Sequence, residues 1–129
     1  MPTAALHFTP RDIALHAARC CQDKGGEDVR VLELTDGALF DFVVIATGRS
    51  DRQTGAIADD VFRFCKRWKV AHHPVEGAPG WHLIDCIDVV VHAMDRDCRE
   101  RYQIDRLWPQ ARDLDLAREL AALPPLAET

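Results

Sequence analysis

The stretch VVIATGRSDRQTGAIADDV, residues 43–61, runs from an apolar segment through a Gly-Ser loop into a helical pattern. The apolar run FVVIA at residues 42–46 is continuous, as expected of a strand buried on both faces. After the loop, apolar residues recur at helical spacing at Ile57, Val61, Phe64, Cys65 and Trp68. A strand, a loop and a helix in this order can hold a phosphate, because free backbone N–H groups at a helix start attract anions.

The loop itself has two interpretations. Gly48 would let a ligand approach closely, which favours a nucleotide site. Alternatively, Gly48 makes the turn while Ser50 or Asp51 caps the helix, and this is the interpretation we favour. A similar loop occurs in nucleotidyltransferases, which need two or three carboxylates converging on metal ions beside it. The adjacent Asp59 and Asp60 point in different directions on a helix, and no Asp-x-Asp or Asp-x-Glu pair follows, so the residues argue against catalysis.

The rest of the chain predicts the element order α-β-β-α-β-β-β-α. A first helix starts at Thr9-Pro10, and the other predicted elements are strands at 29–34, 70–77, 81–86 and 88–94 and an amphipathic helix at 113–123. The long helix after the buried strand favours a parallel pair, and the tight turn near Asp88 favours an antiparallel pair. We therefore expect an α/β fold with one mixed sheet flanked by helices, in a single domain of residues 1–129.

Composition excludes several classes of protein. A net charge of −5 argues against nonspecific coating of nucleic acid, which needs a large basic surface. No apolar run approaches the about 20 residues that span a bilayer, and the first residues do not resemble a secretory signal. The five cysteines form no C-x-x-C motif, which indicates free thiols in a reducing cytoplasm. Neither these nor the neighbouring His72 and His73 have the spacing of a structural zinc site, so we expect no metal and no cofactor.

The segment GWHLIDCIDVVVHAM, residues 80–94, is the strongest candidate for a binding surface. Trp81 stands directly after a glycine at a strand start, Leu83 and either Asp85 or Cys86 follow at alternating positions, and His92 lies near the end of the next strand. Large aromatic residues on a sheet surface are typical anchors of protein interfaces. The alternative is that Trp81 packs under a helix, and periodicity alone leaves both interpretations open.

Four segments together resemble the ribosomal silencing factor family, also called the Iojap-related family. They are DFVVIATGRSDRQTGAIADDV, the dipeptide Glu76-Gly77, WHLIDCIDVVVHAM and RERYQIDRLW, in the family's order and spacing. The resemblance covers roughly residues 10–111, which is most of the chain. The resemblance implies a nucleotidyltransferase-like fold without the catalytic carboxylates, and a role that is not enzymatic. The turn departs from the family pattern: Ile87 stands where the family usually has glycine, so we expect a hairpin turn of a different shape.

The resemblance also implies a partner. Family members bind the large ribosomal subunit through its L14-type protein, block joining of the small subunit and are linked to large-subunit assembly; many are homodimers when free. The positions here that match the family's partner-binding segments are Trp81, Leu83, Asp85, His92, Arg99, Tyr102 and Trp108. Gly48, Ser50 and Asp51 would form a structural loop. The alternative function is a nucleotide-binding or nucleotidyltransferase-type enzyme using the Gly48–Asp51 loop.

Overall fold

A computed structural model describes residues 7–35 and 38–126. The elements are α1 (Pro10–Asp23), β1 (Glu27–Glu33), β2 (Phe42–Gly48), α2 (Asp51–Trp68), β3 (Glu76–Ala78), β4 (Trp81–Asp85), β5 (Val89–Asp95), α3 (Arg96–Tyr102), a 3-10 helix (Ile104–Arg106), β6 (Arg112–Asp113) and α4 (Leu116–Ala122). Within these residues the strands form one sheet in the order β3-β4-β5-β2-β1-β6. Strands β2 and β5 are parallel, and the other neighbouring pairs are antiparallel. The predicted α/β fold with one mixed sheet is confirmed.

The centre of the sheet is β2, in which every residue is buried. Val44 and Ala46 belong to the core beneath α1 and α2, whereas Val43 and Ile45 belong to a second, smaller core on the opposite face. Successive side chains of a strand point to opposite faces, so a strand covered on both faces needs an unbroken apolar run. This is why the FVVIA segment does not alternate.

The two long helices begin with side-chain caps. Thr9 accepts a hydrogen bond from the backbone N–H of Asp12 at 3.1 Å, and the carboxylate of Asp12 accepts one from the N–H of Thr9 at 3.1 Å. This reciprocal pair satisfies two N–H groups that the first turn of a helix leaves free. Helices α1 and α2 pack against each other and against one face of the sheet. The other face is left to shorter elements.

The predicted final helix at residues 113–123 is wrong at its start. Arg112 and Asp113 form the two-residue edge strand β6, which pairs with Leu32 and Glu33 of β1. Helix α4 begins only at Leu116, because the side chain of Asp115 accepts a hydrogen bond from a backbone N–H of the first turn. The predicted strand at 70–77 is also shorter, since only Glu76–Ala78 pairs with β4. A two-residue strand has no periodicity that a sequence pattern could reveal.

The turn between β4 and β5 contains a residue in an unfavourable conformation. Ile87 has a φ of 72°, which an L-residue with a branched side chain rarely adopts, and its side chain is 45% exposed. The turn is held by the N–H of Cys86, which donates to the carbonyl of Val89 at 2.7 Å. Asp85 accepts from the N–H of Ile87 at 2.8 Å. These hydrogen bonds hold Ile87 in a conformation that glycine would adopt without strain.

We predict that Ile87→Gly raises the free energy of unfolding by about 1 kcal/mol, because it removes the cost of the left-handed conformation. The matched variant Ile87→Ala shortens the same exposed side chain but remains an L-residue, so it should give no gain. Urea unfolding followed by circular dichroism measures both. A glycine variant that is no more stable than the alanine variant would contradict the strain assigned to this turn.

Candidate protein-binding face

The predicted binding residues of β4 and β5 share one face of the sheet. Trp81 lies opposite Met94, Leu83 opposite His92, and Asp85 opposite Val90. Ile84 points the other way, into the core beneath α1 and α2, where it is fully buried. Trp81, Leu83, Asp85 and His92 are all partly exposed. Together with Tyr102 of α3, these four side chains are called the Trp81 face.

Three aromatic rings from three elements meet on this face. The indole N–H of Trp81 donates to Nδ1 of His92 at 3.1 Å. The ring of Tyr102 lies with its centroid 5.1 Å from that of Trp81, at an interplanar angle of 40°. Tyr102 is 52% exposed, so the cluster contacts solvent on the side of this ring and packs against the protein on the other. Aromatic pairs at this separation are attractive and hold each other's orientation.

The imidazole of His92 is set deep in the face. Burial lowers its pKa from the ordinary value of 6.5 to about 4, because the surroundings disfavour the charged ring. Trp81 adds a geometric constraint, since an indole N–H can only donate and Nδ1 must therefore be the acceptor. His92 is therefore a neutral residue at physiological pH.

The position of Trp81 depends on Gly80 and on two aspartates. The N–H of Gly80 donates to a carboxylate oxygen of Asp51 at 2.7 Å, and its carbonyl accepts from the N–H of Asp95 at 2.7 Å. Gly80 has a φ of +83°, and a Cβ added there would collide with the Asp95 carboxylate. Only glycine fits this turn, which fixes where β4 and the Trp81 side chain begin.

The polar side chains of the Gly48–Asp51 loop form hydrogen bonds within the protein. Ser50 caps α2 by accepting from the N–H of Gln53 at 3.1 Å, and the Gln53 side chain accepts from the N–H of Arg49 at 2.6 Å. A Cβ at Gly48 would collide with Thr54, so this glycine serves close packing. Among the described residues, no group of three or more His, Cys, Asp or Glu side chains could hold a metal ion. The loop thus has the geometry of a cap that also anchors Gly80 through Asp51.

Arg99 lies beneath the surface, and only 9% of it is exposed. Its guanidinium donates to the carbonyl of Asp28 at 2.6 Å, to the hydroxyl of Thr47 at 2.9 Å and to the carboxylate of Asp105 at 2.9 Å. Arg30 of β1 binds the same carboxylate at 2.8 Å. The sequence marked Arg99 as a partner-binding residue, whereas the structure uses its charge to join α3 to β1 and β2.

The carboxyl of Asp105 is held ionised by these two arginines. Burial would raise its pKa, but the hydrogen bonds and charges of Arg99 and Arg30 outweigh that effect, so the pKa lies below its ordinary value. A carboxylate shared by two guanidinium groups is strongly coupled to both. Removing it would leave the buried guanidinium of Arg99 with only the more distant carboxylate of Asp28, at 3.6 Å, which is largely exposed.

Trp108 and Leu107 flank the same side of the sheet farther along. Trp108 is half-buried against the smaller core of Leu32, Val43, Ile45, Met94 and Ile104. Leu107 beside it is 63% exposed. Sequence analysis selected Trp108 and not Leu107, although the Leu-Trp pair in the family-like segment was a signal that could have included it. The structure therefore brings Trp81, His92 and Tyr102 into contact, with Leu83 and Asp85 on the same side of β4. Leu107 and Trp108 lie beside Thr35, just after the end of β1, away from that cluster.

Comparison with known proteins identifies the family. The family described as "RsfS: Ribosomal silencing factor during starvation" matches residues 7–127. The chain belongs to the ribosomal silencing factor family. This confirms the resemblance seen in the sequence.

Individual family relatives cover most of the chain. It is 35% identical over 103 residues to the ribosomal silencing factor RsfS of Bacillus subtilis, which covers 78% of this chain and 87% of the relative. A crystal structure of a Chromobacterium violaceum protein superposes with a TM-score of 0.75 at 33% identity, over 79% and 88% of the two chains. A more distant mouse relative, 26% identical over 107 residues, is named "Mitochondrial assembly of ribosomal large subunit protein 1"; the match covers 78% of this chain and 47% of that one.

No helix in the described part of the chain is long and apolar enough to cross a membrane.

We predict that Asp105→Asn lowers the free energy of unfolding by about 2–3 kcal/mol, because it removes the closer and more buried of the two carboxylates that pair with the buried Arg99. The matched variant Asp113→Asn removes a carboxylate that also binds Arg30, at 2.8 Å, but is half exposed. It should cost less than about 1 kcal/mol. Urea unfolding midpoints measure both, and equal losses would contradict the role given to Asp105.

The lowered pKa values of two histidines predict how the free energy of unfolding depends on pH. The folded-state pKa of His92 lies below 6.5, so the unfolded chain takes up the proton first, and stability falls as pH drops from about 6.5 towards about 4. Burial also lowers the pKa of His16, which adds to the same trend. His92→Gln should flatten part of this slope in urea titrations between about pH 7.5 and about pH 5, since glutamine does not titrate. An unchanged slope would contradict the burial of a neutral His92.

Proposed function

We propose that this chain binds the large ribosomal subunit and prevents the small subunit from joining it. Membership of the ribosomal silencing factor family supports this role. The observation that carries it is the Trp81 face, where partly exposed aromatic and apolar side chains surround a polar group on a rigid sheet. Silencing of this kind needs a binding surface and no chemical turnover.

The partner in this proposal is the L14-type protein of the large subunit. An aromatic anchor such as Trp81, with Leu83 beside it and the carboxylate of Asp85 at the border, has the composition of an interface centre with a polar rim. The net charge of −5 favours association with a basic ribosomal protein, and this attraction should weaken as salt rises. Joining of the small subunit is then blocked because the bound protein occupies its place.

The proposal also includes the location, the domain organisation and the oligomeric state of the protein. The protein works in the cytoplasm, as a single domain and without a cofactor. When free it forms a homodimer, and the monomer is the form that docks. Leu107 and Tyr102 supply the exposed apolar surface that a second copy would cover. A concentration-dependent sedimentation coefficient would report this dimer.

Assembly of the large subunit is a second candidate function. The name of the mouse relative refers to such a role, and binding at the same surface of a precursor would serve it. The two functions differ in what accumulates when the protein is depleted. Loss of an assembly factor leaves immature large subunits, whereas loss of a silencing factor leaves joined ribosomes that persist under starvation.

The hydrogen bonds of the Gly48–Asp51 loop count against the nucleotidyltransferase alternative. Ser50, Gln53 and Asp51 are already engaged with backbone N–H groups of Gln53, Arg49 and Gly80. A phosphate would have to displace those contacts. A rise in melting temperature on adding a nucleoside triphosphate with Mg²⁺ would favour the enzyme, and we expect none.

We predict that Trp81→Ala weakens binding to purified large subunits by about 2 kcal/mol or more, which is about 30-fold, as for a central aromatic anchor. Tyr102→Ala should also weaken binding, and since Tyr102 is half exposed its loss should leave folding intact. Co-sedimentation with large subunits measures the affinity.

The matched control is Trp68→Ala. Trp68 is also partly buried, but it lies on α2 against the core on the opposite side of the sheet. Circular dichroism melting shows whether each variant remains folded. Folded Trp81→Ala that binds as well as the wild type, or equal losses for Trp68→Ala, would contradict the placement of the interface.

A further inference from the structure

The two ring nitrogens of His92 have different environments. Nδ1 accepts the indole N–H of Trp81 at 3.1 Å. A hydrogen-bond acceptor nitrogen of imidazole carries no proton, so the proton of the neutral ring must sit on Nε2. Trp81 therefore selects one of the two tautomers of His92, because the indole N–H can donate a hydrogen bond but cannot accept one.

The Nε2 nitrogen is not fully buried. Within residues 7–35 and 38–126, the bond to Trp81 is the only hydrogen bond of the His92 side chain. No buried side-chain nitrogen or oxygen in this part of the protein lacks a partner. Nε2 must therefore reach solvent, even though most of the ring is buried. The strand neighbours of His92 are Leu83 of β4 and Ile45 of β2, so apolar residues flank this position on both sides.

We propose that His92 is the specificity-determining residue of the Trp81 face, and that its Nε2–H donates a hydrogen bond to an oxygen of the bound protein. The acceptor is a backbone carbonyl or a side-chain amide or carboxylate oxygen. Trp81 then has two roles: its ring anchors the partner, and its N–H fixes the polarity of the neighbouring imidazole. This inference rests on the proposed function, because it assigns a contact within the same interface.

Because Nε2 of His92 can only donate a hydrogen bond, the Trp81 face discriminates between partners by the group that they place opposite this nitrogen. A partner that places a lysine or arginine opposite Nε2 would bring two donors together, and both would lose their bonds to water. A site built to hydrogen-bond one kind of group rejects the wrong kind more strongly than an apolar pocket rejects a small change in size. The face would thus accept an oxygen at this point and reject a cation, although the protein as a whole is acidic.

The tautomer can be measured on the free protein. In ¹⁵N-labelled wild type, a long-range ¹H–¹⁵N spectrum should show the His92 proton on Nε2 and a bare Nδ1. Trp81→Phe keeps an aromatic ring but removes the indole N–H, so the spectrum of that variant should show a mixture of tautomers. A wild-type His92 protonated at Nδ1, or a Trp81→Phe spectrum identical to the wild type, would overturn the assignment of Trp81 as the group that fixes the tautomer.

Binding to purified large subunits tests the outward contact. His92→Phe keeps a ring but has no donor, and we expect about tenfold weaker binding, the loss of about one hydrogen bond. His92→Gln offers both an oxygen for Trp81 and an N–H for the partner, so it should bind within about threefold of the wild type. His72→Phe is the matched control, because His72 is also half-buried but packs on Phe62 of α2 and makes no contact with Trp81 or Tyr102.

The outcomes separate this inference from the proposed function. Equal binding by wild type and a folded His92→Phe would overturn the inference and leave the proposed function standing. Weaker binding by His92→Gln than by His92→Phe would also overturn it. A wild-type protein that does not bind large subunits at all would overturn the proposed function itself.

Discussion

The placement of α3 against the sheet depends on one buried guanidinium, that of Arg99. Arg99 carries a charge that would cost several kcal/mol to bury alone, and it is compensated by Asp105, Thr47 and the carbonyl of Asp28. These partners belong to the segment after α3, to β2 and to β1. Helix α3 is therefore fixed against the end of the sheet, and Tyr102 at its last turn lies against Trp81. The aromatic cluster therefore depends on the ion pairs and hydrogen bonds of Arg99.

The two faces of the sheet are covered unequally, and this inequality creates the binding surface. Helices α1 and α2 pack on one face, while the short α3 and the 3-10 helix cover only part of the other. The side chains of β4 on that second face remain partly exposed, and of α3 it is Tyr102 in the last turn that packs against one of them, Trp81. Asp51, at the start of α2, holds the turn before β4, so the loop that resembles a phosphate site supports the edge of the surface instead.

Sequence patterns predicted what is local and missed what is long-range. The unbroken apolar run at β2, the helical spacing of α2 and the alternation of Trp81, Leu83 and Asp85 each follow from strand and helix geometry. The burial of Arg99 could not be predicted, because its partner Asp28 lies 71 residues away and its charge suggested a surface contact. Strand β6 was missed because two residues are too short to show a strand periodicity. Leu107 was not selected because its exposure cannot be deduced from the Leu-Trp pair alone.

The most direct test of the account is a subunit-joining experiment. Purified small and large subunits are mixed at a Mg²⁺ concentration that favours association, with and without an excess of this protein, and separated on a sucrose gradient. We predict that the protein sediments with the large subunit and that the peak of joined ribosomes falls. Joined ribosomes that form undiminished while the protein is bound to them would contradict silencing by steric exclusion.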